Sequence, residues 1–264
     1  MRNHARRLLA LLLACAAVMG AALAAPLEEG VPVELTSPSA MLLEADTGTV
    51  IFEKNADEKR QVASVTKLMT LLICFEELEA GRVSLEDDIT VSQAVAAQIG
   101  SQALLDANAV YKLRDLLHAT IIASANDAAY ALAEHIAGSE AAFVEQMNAL
   151  AAELGCSGTH FANTHGLPDD DHYTTARDMA VIYREAISHE LFAEISGSVG
   201  YTVAATNVSG ERQLSNTNSL INQNATVYPG YYYEYAKTGK TGHTTAAGYC
   251  LASSAEKDGV SLIA

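Results

Sequence analysis

Basic residues are scarce in this 264-residue chain: 16 lysines and arginines stand against 32 aspartates and glutamates. Three of the 16, Arg2, Arg6 and Arg7, come first, ahead of the almost wholly apolar run Leu8–Ala24. That order, closed by the small-x-small tripeptide Ala22-Leu23-Ala24, describes a secretory signal peptide over residues 1–24. An uncleaved anchor is the second reading of the run, and a lipoprotein signal at Leu12-Leu13-Ala14-Cys15 is the third. Cleavage after Ala24 leaves residues 25–264 with 13 basic and 32 acidic side chains, a net charge of −19. Such a surface repels nucleic acid and carries no phosphate-reading patch. The expected location is extracytoplasmic.

Cysteine is also sparse. Beyond the leader only Cys74, Cys156 and Cys250 remain, an odd number with no close pairing. An exported chain can form disulfides, but this pattern excludes a stapled framework, and buried unpaired thiols are expected. Internal repeats and low-complexity segments are missing too. What is left is long enough for one large domain, or two lobes, with a real core.

Ala40–Ala45 and Thr49–Lys54 are strand-like and meet through Asp46-Thr47-Gly48, a hairpin pattern. Val62–Ala80 has helical apolar spacing and ends at Gly81. Further helical segments are Tyr111–Ala123, Asn126–Ala137, Glu140–Leu154 and Thr175–Ser188, with Asn163–Asp171 as a polar loop. Strand signals return at Tyr201–Thr206 and Gln213 and dominate from Tyr231 onward. The expected fold is α/β in the broad sense, or α+β: an antiparallel sheet flanked by helices, with an inserted helical lobe. The sheet lobe covers about residues 35–80 and 230–264, the helical lobe about 81–200, and a site is expected in the cleft between them. Gly259–Ala264 starts an apolar strand and stops, so a truncated C-terminus is expected.

Three short motifs carry chemistry. In Ser64-Val65-Thr66-Lys67, positions i and i+3 share a helical face, so the amine can reach the hydroxyl and act as its base. The helix N-terminus adds a favourable dipole for acyl transfer. Taken alone, this motif is more often an ordinary capped helix. Ser124-Ala125-Asn126 lies between helical segments, and alone it reads as an N-cap. The third is Lys-Thr-Gly on a strand, which brings a cation, a hydroxyl and a glycine for close approach. It occurs twice, as Lys237-Thr238-Gly239 and Lys240-Thr241-Gly242. An offset of three puts the two lysines on opposite faces, so only one can look into a given cleft. Periodicity does not say which.

Three further patterns are weaker. Gly239-Lys240-Thr241 resembles the tail of a phosphate-binding loop, but Glu234 stands where that motif needs glycine. His160, His165 and His172 with Asp169, Asp170 and Asp171 resemble a metal cluster but fit no regular face, so a solvated polar loop is expected. Tyr228, Tyr231, Tyr232, Tyr233 and Tyr235 are expected to pack on a strand, with a binding platform as the alternative.

In their order, the three boxes resemble the motif set of penicillin-binding enzymes and serine β-lactamases. Within that superfamily the chain is most similar to serine D-alanyl-D-alanine carboxypeptidases of the low-molecular-mass penicillin-binding kind. The resemblance runs from about Thr36 to Ala264 and includes Ala63–Thr70, Ser124–Ala129, Phe161–Leu167, His172–Asp178, Lys240–Thr244 and Ala247-Gly248-Tyr249. It implies that Ser64, Lys67 and Ser124 are catalytic and that Asn126, Lys240, Thr241, Gly242 and His243 bind substrate. The family spacing to Ala247-Gly248 selects Lys240 over Lys237.

The implied reaction removes the terminal D-alanine of a peptidoglycan stem peptide through an acyl-enzyme, with β-lactams as covalent inhibitors and with no cofactor or metal. The implied place is the cell wall or the outer face of the cytoplasmic membrane. Members of the family often carry a further C-terminal β-domain and a membrane-surface helix, so contact with the membrane surface would come through a missing C-terminal segment. The rival readings are a serine β-lactamase and a non-catalytic wall-binding module. The Phe161–Ala176 loop has no glutamate of the kind that serves deacylation in class A β-lactamases.

Overall fold

The segment after Ser64 is apolar on every side, and the chain uses it as a central helix. In α1 (Lys67–Glu79) every residue from Lys67 to Phe75 is buried, as expected of a helix that is covered all round. Ser64 itself lies one step earlier, in a 3-10 turn over Ala63–Thr66, so the helix expected from Val62 begins five residues late, at Lys67. The computed structural model describes residues 34–225 and 228–264. The expected signal peptide lies outside the described residues. Pro38–Ala264 forms one compact unit.

Its main sheet has the order β2-β1-β9-β8-β7 and is antiparallel throughout. The strands are β1 (Ala40–Glu44), β2 (Val50–Lys54), β7 (Ala236–Thr244), β8 (Gly248–Lys257) and β9 (Val260–Ile263). The β1–β2 turn is held by Glu44, whose carboxylate accepts from the Thr47 backbone N–H at 2.7 Å and hydroxyl at 2.6 Å. The apolar run near the end is β9, paired to β1 on one side and β8 on the other. That leaves β7, the strand with both Lys-Thr-Gly copies, at the edge.

Between the two groups of strands the chain is mainly helical. It contains α2 (Gln93–Ala96), α3 (Leu113–Ile122), α4 (Asn126–Ala137), α5 (Glu140–Glu153), α6 (Ala176–Ser188) and α7 (Glu190–Ser196). Tyr111 is not the start of α3. It belongs to β4 (Val110–Lys112), which pairs with β3 (Asp88–Thr90) and sets Tyr111 against Ile89. A cross-strand aromatic–aliphatic pair on a half-buried ribbon outweighs the helical pattern there. The turn around Ser209-Gly210 joins β5 (Gly200–Val203) to β6 (Arg212–Ser215).

Two expectations about loops fail. The tyrosine segment does not form a strand: β7 begins at Ala236, and Tyr228, Tyr231, Tyr232 and Tyr233 are exposed in turn and coil. The stretch around Asn163–Asp171 is not simply a solvated loop either, because Thr164, His165 and His172 are buried. Of the thiols, all three are free; Cys74 and Cys156 are buried but Cys250 only partly so.

Candidate active site

Burial and hydrogen bonding converge on Lys67. Its side chain has no exposed surface, and its Nζ lies 2.9 Å from Ser64 Oγ, 2.7 Å from Asn126 Oδ1 and 3.0 Å from the His165 carbonyl oxygen. Burial pushes the Lys67 pKa well below the usual lysine range, the charge of Lys240 lowers it further, and Asp127 opposes both. A neutral amine has two N–H bonds and one lone pair. The two carbonyl oxygens can only accept, so they take the N–H bonds, and the lone pair is left facing the Ser64 hydroxyl. This is the geometry of a general base at its nucleophile.

A second chain of contacts runs through Lys240, whose side chain is 1% exposed. Its Nζ donates to Ser124 Oγ at 2.8 Å and to the Thr241 carbonyl at 2.8 Å. Burial lowers its pKa to about 7. Ser124 is buried with φ +58, an uncommon value for a residue with a side chain. It does not cap α4: the N-cap is Ala125 and no side chain satisfies that position. Its hydroxyl is turned to Lys240 instead. Lys237, three residues back on β7, is 53% exposed at the side chain and 3.8 Å from Glu256.

Two glycines let backbones come together here. A Cβ on Gly242 would lie 2.7 Å from the Val62 carbonyl and 3.0 Å from the backbone nitrogens of Ser64 and Val65. Glycine therefore allows β7 to press against the turn that carries Ser64. His243 follows, exposed, with its backbone next to that contact. Gly166 has φ +87, and a Cβ there would sit 1.9 Å from the Ala63 carbonyl. The His165-Gly166 segment thus closes on the same turn from the other side and delivers the His165 carbonyl to Lys67.

Comparison with known proteins identifies the family. The family described as D-alanyl-D-alanine carboxypeptidase matches residues 25–264. The chain belongs to that family. It is 38% identical to the D-alanyl-D-alanine carboxypeptidase DacF of Bacillus subtilis over 86% of its own length and 56% of that protein's. It is 34% identical to the DacA enzyme of Escherichia coli K12, covering 89% of this chain and 56% of that protein. The chain therefore spans about half the length of these relatives. Among solved structures, the D-alanyl-D-alanine carboxypeptidase DacD from Francisella tularensis superposes with a TM-score of 0.79 at 31% identity, covering 92% of this chain and 69% of that one. A mutant of the Streptomyces K15 DD-transpeptidase gives a TM-score of 0.80 at 27% identity, covering 88% and 90% of the two chains.

Measured against the family motifs, the structure brings Ser64, Lys67 and Asn126 into one hydrogen-bonded group and Ser124 with Lys240 into another. Asn126 is more heavily engaged than its motif suggests. Besides holding Lys67, it donates from Nδ2 to the Ile99 carbonyl at 2.6 Å, and its backbone N–H donates to the Ser101 carbonyl at 2.7 Å. One amide N–H remains for a ligand. Thr241 shares a 2.7 Å hydrogen bond with the Thr217 hydroxyl, a partner that no sequence motif singled out.

Two further residues support the site in ways the motifs did not show. Asp127 is buried, and its carboxylate accepts from the backbone N–H groups of Ala103, Leu105 and Ala128 at 2.9–3.0 Å, which ties the 97–106 loop to the start of α4. His172 accepts from the Ala162 N–H at Nδ1 (3.1 Å), so its proton is on Nε2, 2.7 Å from Thr66 Oγ1. Burial drives the His172 pKa down to about 4 and that of His165 to about 3, which keeps both rings neutral. His165 and His172 therefore serve as supports, while Asp169, Asp170 and Asp171 are exposed. Among the described residues, no group of three or more His, Cys, Asp or Glu side chains could hold a metal ion.

Proposed function

We propose that the chain is a serine D-alanyl-D-alanine carboxypeptidase that trims the terminal D-alanine from peptidoglycan stem peptides. The observation that carries this reading is the buried Lys67 amine, 2.9 Å from Ser64 Oγ, with its other contacts made to neutral oxygen acceptors. Ser64 Oγ attacks the carbonyl between the last two D-alanines while Lys67 takes its proton. The backbone N–H groups of Ser64 and His243 stabilise the oxyanion, which Gly242 permits by letting β7 close on the turn. Ser124 relays that proton from Lys67 to the leaving amine, so Lys67 is neutral again for the water step and Lys240 keeps its own charge. The Thr241–Thr217 hydroxyl pair, with the charge of Lys240 behind it, receives the terminal carboxylate. Asn126 uses its remaining N–H for the substrate amide. Water then hydrolyses the acyl-enzyme.

The place of action in this reading is outside the cytoplasm, as an exported chain requires. Among the described residues no helix is long and apolar enough to cross a membrane. The β-lactamase reading needs a glutamate to activate water. Glu140 does reach the loop, but its Oε1 accepts from the Thr164 N–H and hydroxyl at 3.1 and 2.9 Å, which holds the carboxylate on Thr164. Transfer of the acyl group to an amine is the second reading, favoured by the likeness to a DD-transpeptidase.

The test is release of D-alanine from a peptide ending in D-Ala-D-Ala, with mass spectrometry of the chain after exposure to penicillin. The carboxypeptidase reading expects D-alanine release into water and a stable adduct on Ser64. Rapid turnover of penicillin would favour the β-lactamase, product formation only with an added amine would favour transfer, and absence of any adduct would leave a binding module.

A further inference from the structure

Tyr228, Tyr231, Tyr232, Tyr233 and Tyr249 are between 44 and 75% exposed, and the chemistry above uses none of them. Exposed aromatic side chains that lie together mark a contact surface more often than a core. Two of these rings extend the end of the catalytic strand. His243 and Tyr249 are partners across the β7–β8 ladder, with ring centroids 4.4 Å apart. Tyr228 meets Tyr249 edge-on, with ring centroids 5.8 Å apart. Leu251, half exposed, continues the same face of β8 opposite Thr241. The result is a shelf of aromatic faces and neutral hydroxyls. It starts one residue past Gly242, on the face of β7 that Thr241 shares and that lies opposite the contact of Gly242 with the turn of Ser64.

The ligand that fits such a shelf is flat, uncharged and hydroxyl-bearing. An acidic or basic side chain of the stem peptide would find no counter-charge on Tyr228, Tyr249 or Leu251. A sugar ring offers an apolar C–H face to stack on the rings and hydroxyls to bond the phenols. In the proposed substrate the sugar is joined to the scissile bond by a short peptide. About four extended residues span roughly 14 Å. Tyr228 is two ring-to-ring steps, of 4.4 and 5.8 Å, beyond His243, which is shorter than that span.

We propose that the Tyr249–Tyr228 shelf binds an amino-sugar ring of the glycan strand from which the stem peptide extends. The proposal rests on the carboxypeptidase reading for its substrate, but it concerns a separate surface.

The experiment compares kcat/KM of the full chain on a free stem pentapeptide and on the same peptide attached to its amino-sugar disaccharide. The expected result is about a tenfold preference for the disaccharide-linked substrate. Tyr249→Ala and Tyr228→Ala should each bring that preference close to one while cleavage of the free peptide stays within about twofold of the parent. A preference of one in the parent chain, or equal losses on both substrates in the variants, overturns the shelf. If the parent cuts neither substrate, the carboxypeptidase reading fails on its own. Titration with the peptide-free disaccharide, followed through tyrosine ring signals by NMR, then decides. A saturable shift lost in Tyr249→Ala upholds the shelf, and no shift overturns it.

Discussion

Arg177 and Lys67 are both long cationic side chains at the start of a helix, and the molecule surrounds them in opposite ways. Arg177, partly exposed, meets Asp57 at 2.7 Å and Glu53 at 2.8 Å, and these carboxylates push its pKa up. Lys67, fully buried, meets a hydroxyl, an amide oxygen and a backbone carbonyl. A carboxylate beside a buried lysine would lock it as an ammonium, whereas neutral acceptors leave it free to lose its proton. Asp127 is the nearest negative influence, and its oxygens are occupied by three backbone N–H groups. The contrast separates a cation used as surface structure from the amine that the proposed mechanism uses as its base.

The sharpest way to break this comparison is to remove the base. Lys67→Ala is expected to slow acylation by a labelled penicillin by about 10³-fold, within the usual range for losing a general base. Circular dichroism should show the fold retained. Near-normal labelling would mean that some other group takes the Ser64 proton.

The two lysines of β7 repeat the comparison within one strand. Lys240→Ala should reduce kcat/KM on a D-Ala-D-Ala peptide by about 10²-fold. It should also move the acid limb of the pH profile upward, since the charge of Lys240, after burial, is what lowers the Lys67 pKa. Lys237→Ala should change neither. A matching loss in Lys237→Ala would reverse the assignment of the two copies.

The reason for that assignment was only partly legible. Strand periodicity separates Lys237 from Lys240 but cannot rank them, and family spacing made the choice. Ser64, Lys67, Ser124 and Asn126 were legible because each falls in a short motif. Thr217 was not, and Asp127 and His172 fell in quoted segments without their supporting roles being legible, since the three act through contacts made across 24, 22–24 and 106 residues. In the fold, α1, α4, α5 and α6 were legible from their spacing. The β3–β4 ribbon was not, because three-residue strands leave no period to read. The tyrosine segment failed for another reason: strand propensity reports a fit to a half-buried face, and these rings have none.

The histidines sharpen the comparison on the stability side. His172 has a folded pKa of about 4, below its ordinary 6.5, so the unfolded chain binds more protons between those values. Stability should therefore fall as pH drops from 6.5 towards 4, with His172 contributing roughly 3 kcal/mol of that loss at about 1.4 kcal/mol per pKa unit. His172→Gln, measured by urea unfolding at several pH values, should flatten this window. An unchanged slope would contradict a buried neutral ring.

The smallest effect is expected at the surface. Arg177→Ala removes both ion pairs, yet exposed pairs contribute little. Its melting temperature should fall by only a few degrees and penicillin acylation should stay unchanged, so a large loss of acylation would show that the surface cluster and the site are coupled.

The most direct test of the central claim is a titration of the Lys67 side-chain nitrogen by NMR in the intact chain, with Lys67→Ala used for assignment. The account predicts a signal that is neutral at pH 8 and titrates well below the ordinary lysine value. A Lys67 that remains an ammonium up to about pH 10, where unperturbed lysines lose their proton, would contradict it.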